Sequence, residues 1–222
     1  MNDTPTPELN IASDLDKYAR RYLKKMWVSK GCRFIAHRRL RERNHASQLV
    51  ISLFSIGVIA ASISLLVVSP DNKKLSDFIS ILAINASIFI LVLSNLEFAK
   101  NYSVEAERML RGAQLLSKMH DDLELNINQG SIAKETLAVI IEHYNQVLMD
   151  FEVNHEEIDY RYFQVNHPSY FDLEKLGLTK RIFYRGEYFW HIWGPYSMCI
   201  IVPPILIYLA IRYIPEISFF KV

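Results

Sequence analysis

Apolar residues gather in three stretches without a formal charge, at 44–70, 78–96 and 188–211, and between these stretches they recur at helical spacing. A helix needs about 20 apolar residues to cross roughly 30 Å of hydrocarbon, where each unpaired backbone group costs several kcal/mol. Residues 49–68 meet that length. Residues 78–96 are interrupted only by serines, Asn85 and Asn95, whose side chains bond within or between helices, and are expected to span as well. Soluble core helices seldom run this long without a charged face, so lipid is expected around both. Residues 188–211 are broken by Gly194-Pro195 and Pro203-Pro204. Trp190, Trp193 and Tyr196 supply the aromatic belt of a membrane interface, which predicts a third, kinked C-terminal span. A re-entrant or surface-lying segment is the alternative.

The intervening segments read as amphipathic helices. Over 14–26, Leu15, Tyr18, Ala19, Tyr22, Leu23 and Met26 form one stripe, with Ser13 as the expected cap and Asp16 completing an S-x-x-D box. This helix would lie on the membrane or on a partner helix. Beyond residue 96 the helix is expected to continue, because Tyr102, Ala106, Met109, Ala113, Leu116, His120, Leu123 and Ile127 keep a four-three spacing, a coiled-coil seam. Residues 126–130 supply a turn with Gly130 as a left-handed cap, and Ser131 can open a return helix. There Leu137, Ile141, Tyr144, Leu148, Phe151, His155, Ile158 and Tyr162 repeat the spacing. The expected fold is an all-α membrane protein. A two-span helical hairpin (46–96) follows a basic cytoplasmic region (1–45) and continues into a long cytoplasmic antiparallel hairpin (97–187), with the third span at 188–213.

Charge sets the orientation. Half of the residues are hydrophobic, and 22% are charged, yet residues 1–45 carry 11 Lys and Arg against 5 acids, with Arg33, Arg38, Arg39, Arg41 and Arg43 nearest the first span. The positive-inside rule makes the amino-terminal side cytoplasmic. Lys180, Arg181 and Arg185 place the approach to the third segment on the same side. Residues 97–187 hold 16 acids against 10 bases, so the basic and acidic regions are expected to face each other. Membrane lipid competes for the basic segment at about 1 kcal/mol per Lys or Arg, and no direct nucleic-acid binding is expected. Residues 1–10 are polar, with Pro5 and Pro7, unlike a cleaved signal peptide, so 49–68 is expected to act as its own insertion signal. Cys32 and Cys199 sit in settings too different to imply a disulfide.

Few residues carry candidate chemistry. Ser55 and Ser62, with Ser69, recur every seven residues, as do Ser80 and Ser87 with Ser94. Each series forms a stripe that either lines a wet pore or lets helices pack closely. Asn85, mid-span and off that stripe, is expected to bond a neighbouring helix. Asn154, His155, Glu156, Glu157 and Asp159 form the densest polar cluster, and its carboxylates are expected to face Arg33, Arg38 and Arg39. His155 and Asp159 are four apart, but too few ligands accompany them for zinc. No phosphate loop or G-x-S-x-G occurs; no metal, cofactor or enzymatic activity is expected.

Two sets of residues, Trp27-x-x-x-Gly31-x-Arg33-Phe34-x-Ala36-x-x-Arg39-Leu40 and Tyr144 followed by Asn154-His155-x-x-x-Asp159-Tyr160, resemble the SLATT family of SMODS and SLOG-associating two-transmembrane effector domains, in particular its fifth subgroup. The third apolar segment departs from the two-span pattern. The resemblance implies a homo-oligomeric, pore-forming effector of a bacterial anti-phage conflict system. Such an effector would be opened by an upstream nucleotide or reverse-transcriptase-linked signal to permeabilise the inner membrane. Arg33 and Arg39 with Asn154, His155, Glu156 and Asp159 would then form a regulatory latch. A second reading is a non-conducting membrane anchor whose cytoplasmic hairpin docks a soluble enzyme, such as a reverse transcriptase.

Overall fold

The structure, a computed structural model, describes residues 7–67, 73–130, 132–151, 155–171 and 177–213. They form six helices: α1 (Pro7–Val67), α2 (Lys73–Lys100), α3 (Tyr102–Asn128), α4 (Lys134–Asp150), α5 (Glu157–Asn166) and α6 (Leu178–Tyr213). No strand occurs among the described residues, so the protein is all-α. Proline is tolerated in a first helical turn because its missing N–H would have no partner there, and α1 starts at Pro7. Ser13 therefore lies inside the helix and does not cap it.

The chain divides into two compact units, Met1–Leu40 with Val104–Tyr188, and Arg41–Ser103 with Phe189–Val222. In the first, Leu116, Met119, Leu123 and Ile127 of α3 and Leu137, Tyr144 and Val147 of α4 share a core with Ala19 and Met26 of α1. The 14–26 stripe thus finds protein partners, and the expected two-helix seam is closed by a third helix. Every α3 seam residue is buried except His120, whose side chain is 12% exposed. At the hairpin turn Gln129 N–H donates to Leu125 O at 3.1 Å and Gly130 N–H to Ile127 O at 3.2 Å. Gly130 takes φ 104° there, a conformation that a Cβ would strain. Ser131 lies outside the described residues; α4 begins at Lys134, with Ala133 at its N-cap.

Two helices expected to be continuous are interrupted. Asn101, at φ 46°, separates α2 from α3; asparagine is one of the few non-glycine residues that enters the left-handed region readily. The return helix also breaks. α4 ends at Asp150, Phe151 turns out at φ −103° and ψ 73°, and α5 restarts after an extended Glu156. The apolar spacing runs in phase through Tyr162, but its last two members, Ile158 and Tyr162, lie on a separate helix. A capping box fixes that restart: the Glu156 side chain takes the Asp159 N–H, and the Asp159 carboxylate takes the Glu156 N–H at 3.0 Å.

The second unit has the opposite apolar pattern. Its small core holds Ala46, Val50 and Tyr196, flanked by Phe54, Leu93 and Trp193. No residue of α2 is buried, and Ile56, Ile59, Ile63, Ile84, Ile88 and Leu91 all face outward. Two helical stretches, Asp14–Val67 and Lys73–Asn128, are long and apolar enough to cross a membrane, with mean hydropathies of 2.5 and 2.2 in their most apolar windows. α6 is helical through both proline-containing breaks expected from the sequence, but among the described residues it does not join those two.

Candidate functional site

On α1, the residues from Met26 to Leu40 that turn inward include Met26, Cys32, Arg33, Ala36, Arg39 and Leu40, and two of these are cations. Arg39 is held by α5. Its Nε donates to Asp159 Oδ1 at 2.8 Å and its Nη2 to Asp159 Oδ2 at 3.0 Å. The Asp159 side chain is 0% exposed and that of Arg39 3%. Nη2 also lies 2.9 Å from the half-exposed Glu156 carboxylate. Because Asp159 also accepts the Glu156 N–H, one carboxylate both starts α5 and ties it to α1. Two parallel bonds from a planar guanidinium are the strongest form of such a pair. They offset the desolvation of both charges only when the geometry is this complete.

Arg33, one and two-thirds turns earlier on α1, has a different environment. It is 2% exposed, and its Nε and Nη1 make no hydrogen bond. Its guanidinium lies 5.7 Å from the centre of the Phe151 ring and against Gly112, where a Cβ would collide with Nη1. Burial draws its pKa below the usual arginine value. The structure therefore brings Arg39, Glu156 and Asp159 together, whereas Arg33 rests on an aromatic ring and a glycine. His155 is held below its ordinary pKa, first by burial, with Asp159 opposing and the Arg33 charge adding to the depression. Asn154 lies outside the described residues. Arg38 donates to the Tyr162 hydroxyl at 3.1 Å, and Tyr162 stacks on Tyr188 at 4.0 Å. Burial and the negative charge of Asp159 push the Cys32 thiol up to about 12, which removes it as a nucleophile at neutral pH.

An aromatic cluster completes the junction, and the sequence reading did not anticipate it. Trp27 lies 4.8 Å from Phe163, 5.0 Å from His167 and 4.3 Å from Tyr170 between ring centres. Gly31 leaves the space that the Phe163 ring fills. The high aromatic density of residues 160–171 was the available signal. Farther along α3, donor atoms of His120, Asp121 and Glu124 come within 4.8 Å of one another. Lys30 already sits 3.6 Å from the Asp121 carboxylate.

In the apolar unit, Ser55, Ser62, Ser80 and Ser87 each donate to the carbonyl four residues back on their own helix, at 2.8–2.9 Å. Asn85 donates to Ile81 O in the same way at 2.8 Å. These bonds pair the donors internally, which removes the cost of an orphaned hydroxyl or amide N–H in lipid. Asn85 also lines an apolar cavity of about 440 Å³ with Phe54, Gly57, Ala61, Phe89 and Cys199.

The family described as "SMODS and SLOG-associating 2TM effector domain family 5" matches residues 15–209, nearly the whole chain. The protein belongs to this family. No curated protein and no solved structure gives a match. The description "2TM" agrees with the two apolar helices, and together they make this a membrane protein. In this SLATT chain, residues of the two sequence motifs meet. Arg39 of the first binds Asp159 of the second, and Tyr144, also of the second, bonds Ser29 within the stretch that carries the first, at 3.1 Å between hydroxyls.

Proposed function

We propose that the protein is an oligomeric, pore-forming effector of a bacterial conflict system, seated in the inner membrane with its amino-terminal side cytoplasmic. The Arg39–Asp159 clasp stabilises its closed state. It does no catalysis; it opens when an upstream nucleotide or reverse-transcriptase-linked signal reaches the charged unit. The supporting observation is that α1 is one unbroken helix, Pro7–Val67, and carries both Arg39 and the first apolar span. A signal shifts such an equilibrium only by preferring one arrangement. Breaking a buried ion pair without replacing it costs about 3–5 kcal/mol, enough to keep the open form rare until a ligand offsets that cost.

The test is dye release from liposomes carrying purified protein. Asp159→Asn, which keeps the shape but removes the charge, should raise basal leak well above wild type. Unchanged leak would eliminate the clasp as the latch. If neither protein leaks, and ion flux is absent even with the cognate partner added, the anchor reading takes over.

A further inference from the structure

Asn85 sits near the middle of the uncharged stretch 78–96 and is exposed. One of its two amide N–H groups goes to Ile81 O at 2.8 Å, which leaves the other N–H and the carbonyl oxygen for a partner outside α2. At that depth in lipid a polar group is costly unless another helix meets it. Asn85 also lines the cavity of about 440 Å³, together with Gly57 and Ala61 of α1 and Ala86 of α2. At Gly57 a Cβ would meet nothing within 4 Å. Leu53 and Leu82, two further lining residues, are 52% and 39% exposed, so the cavity opens on the outside of the apolar unit. α2 itself has no buried residue over its 28 residues.

We infer that this face receives the same face of a second copy of the chain, with the two Asn85 amides hydrogen-bonded to each other across a two-fold axis. A primary amide is self-complementary, because its N–H and its carbonyl pair with those of an identical group. An isologous contact supplies that identical group. Acyl chains would fill the cavity but offer Asn85 neither donor nor acceptor, whereas a second copy fills the space and meets the amide. Gly57, Ala61 and Ala86 carry little or no side chain, which lets the backbones of two copies approach. The inference rests on the oligomeric reading above, whose contact face it names, and does not depend on conduction.

The test has two arms, both on the full chain. In membranes, with C32A and C199A as background, N85C should give a disulfide-linked dimer on mild oxidation. I84C, about 160° round the helix from Ala86, should not. In detergent, native mass spectrometry across a dilution series reads the association itself. N85L should weaken it about ten-fold, the size of one interhelix hydrogen-bonded pair in a membrane, and N85Q, which keeps the amide, should retain most of it. G57L should also weaken association while leaving the helical circular dichroism unchanged, because its side chain enters open space within one copy. Cross-linking of I84C as readily as N85C, or wild-type association of both N85L and G57L, would overturn the proposal. A wild type that is monomeric at every dilution and uncross-linked through N85C sinks the oligomeric reading and this one together. An oligomer that N85L and G57L leave intact sinks this one alone.

Discussion

α2 and α3 are separated by a single residue and have nearly equal length, yet they use apolar residues in opposite ways. In α3 the four-three seam is buried almost without exception; in α2 no residue is buried, and Ile81, Ile84, Ile88 and Leu91 are all more than half exposed. Apolar periodicity directs α3 onto other helices of its own chain, whereas apolar composition without a polar face leaves α2 to be solvated from outside. Water would exact about 25 cal/mol for every Å² of that surface. Lipid removes the cost, and Ser55, Ser62, Ser80, Ser87 and Asn85 of the second unit each donate within their own helices.

The largest expected break of this contrast comes from charging α2. Ile84→Lys with Ile88→Lys should add about 5–7 kcal/mol to membrane insertion, at about 2.5–3.5 per charge near a span centre. The measurement is the fraction of chain in the membrane pellet, which should collapse, while Ile84→Ala with Ile88→Ala leaves it unchanged. Next comes the clasp. Asp159→Ala leaves the buried Arg39 with only the half-exposed Glu156 carboxylate and should cost about 3–5 kcal/mol in denaturant unfolding of the charged unit. Replacing Arg39 and Asp159 together by leucines should recover much of that loss, since well-packed apolar groups often substitute for a buried pair. A cavity at the seam, Leu116→Ala, should cost about 2–5 kcal/mol in the same assay. Gly112→Ala should cost about 1–3 kcal/mol, because the methyl group forces the Arg33 guanidinium off its seat.

The smallest effect is a pH dependence. His155 is held below its ordinary 6.5 by burial, so the unfolded chain takes up a proton before the folded one does. The stability it contributes is fully present above about pH 6.5 and is lost as the pH falls toward the lowered folded value. Thermal unfolding should show this decline, and His155→Gln should flatten it.

Much of this fold was legible because periodicity and charge are properties of sequence alone. The two spans, the α3 seam and the glycine turn at 130 all follow from spacing. The break between α4 and α5 was hidden because the spacing stays in phase across it, and the helix restart uses Glu156, which is not among the preferred capping residues. Arg33 and Arg39 look equivalent in the chain. Which one receives Asp159 depends on where α5 begins, and Gly112, the residue that seats the other, lies 79 positions away.

Alkaline carbonate extraction of membranes from cells producing the full chain tests the central claim most directly. If lipid surrounds 49–67 and 78–96, the protein stays in the pellet and leaves it only with detergent. Recovery in the carbonate supernatant, as a well-behaved monomer without detergent, would contradict the account.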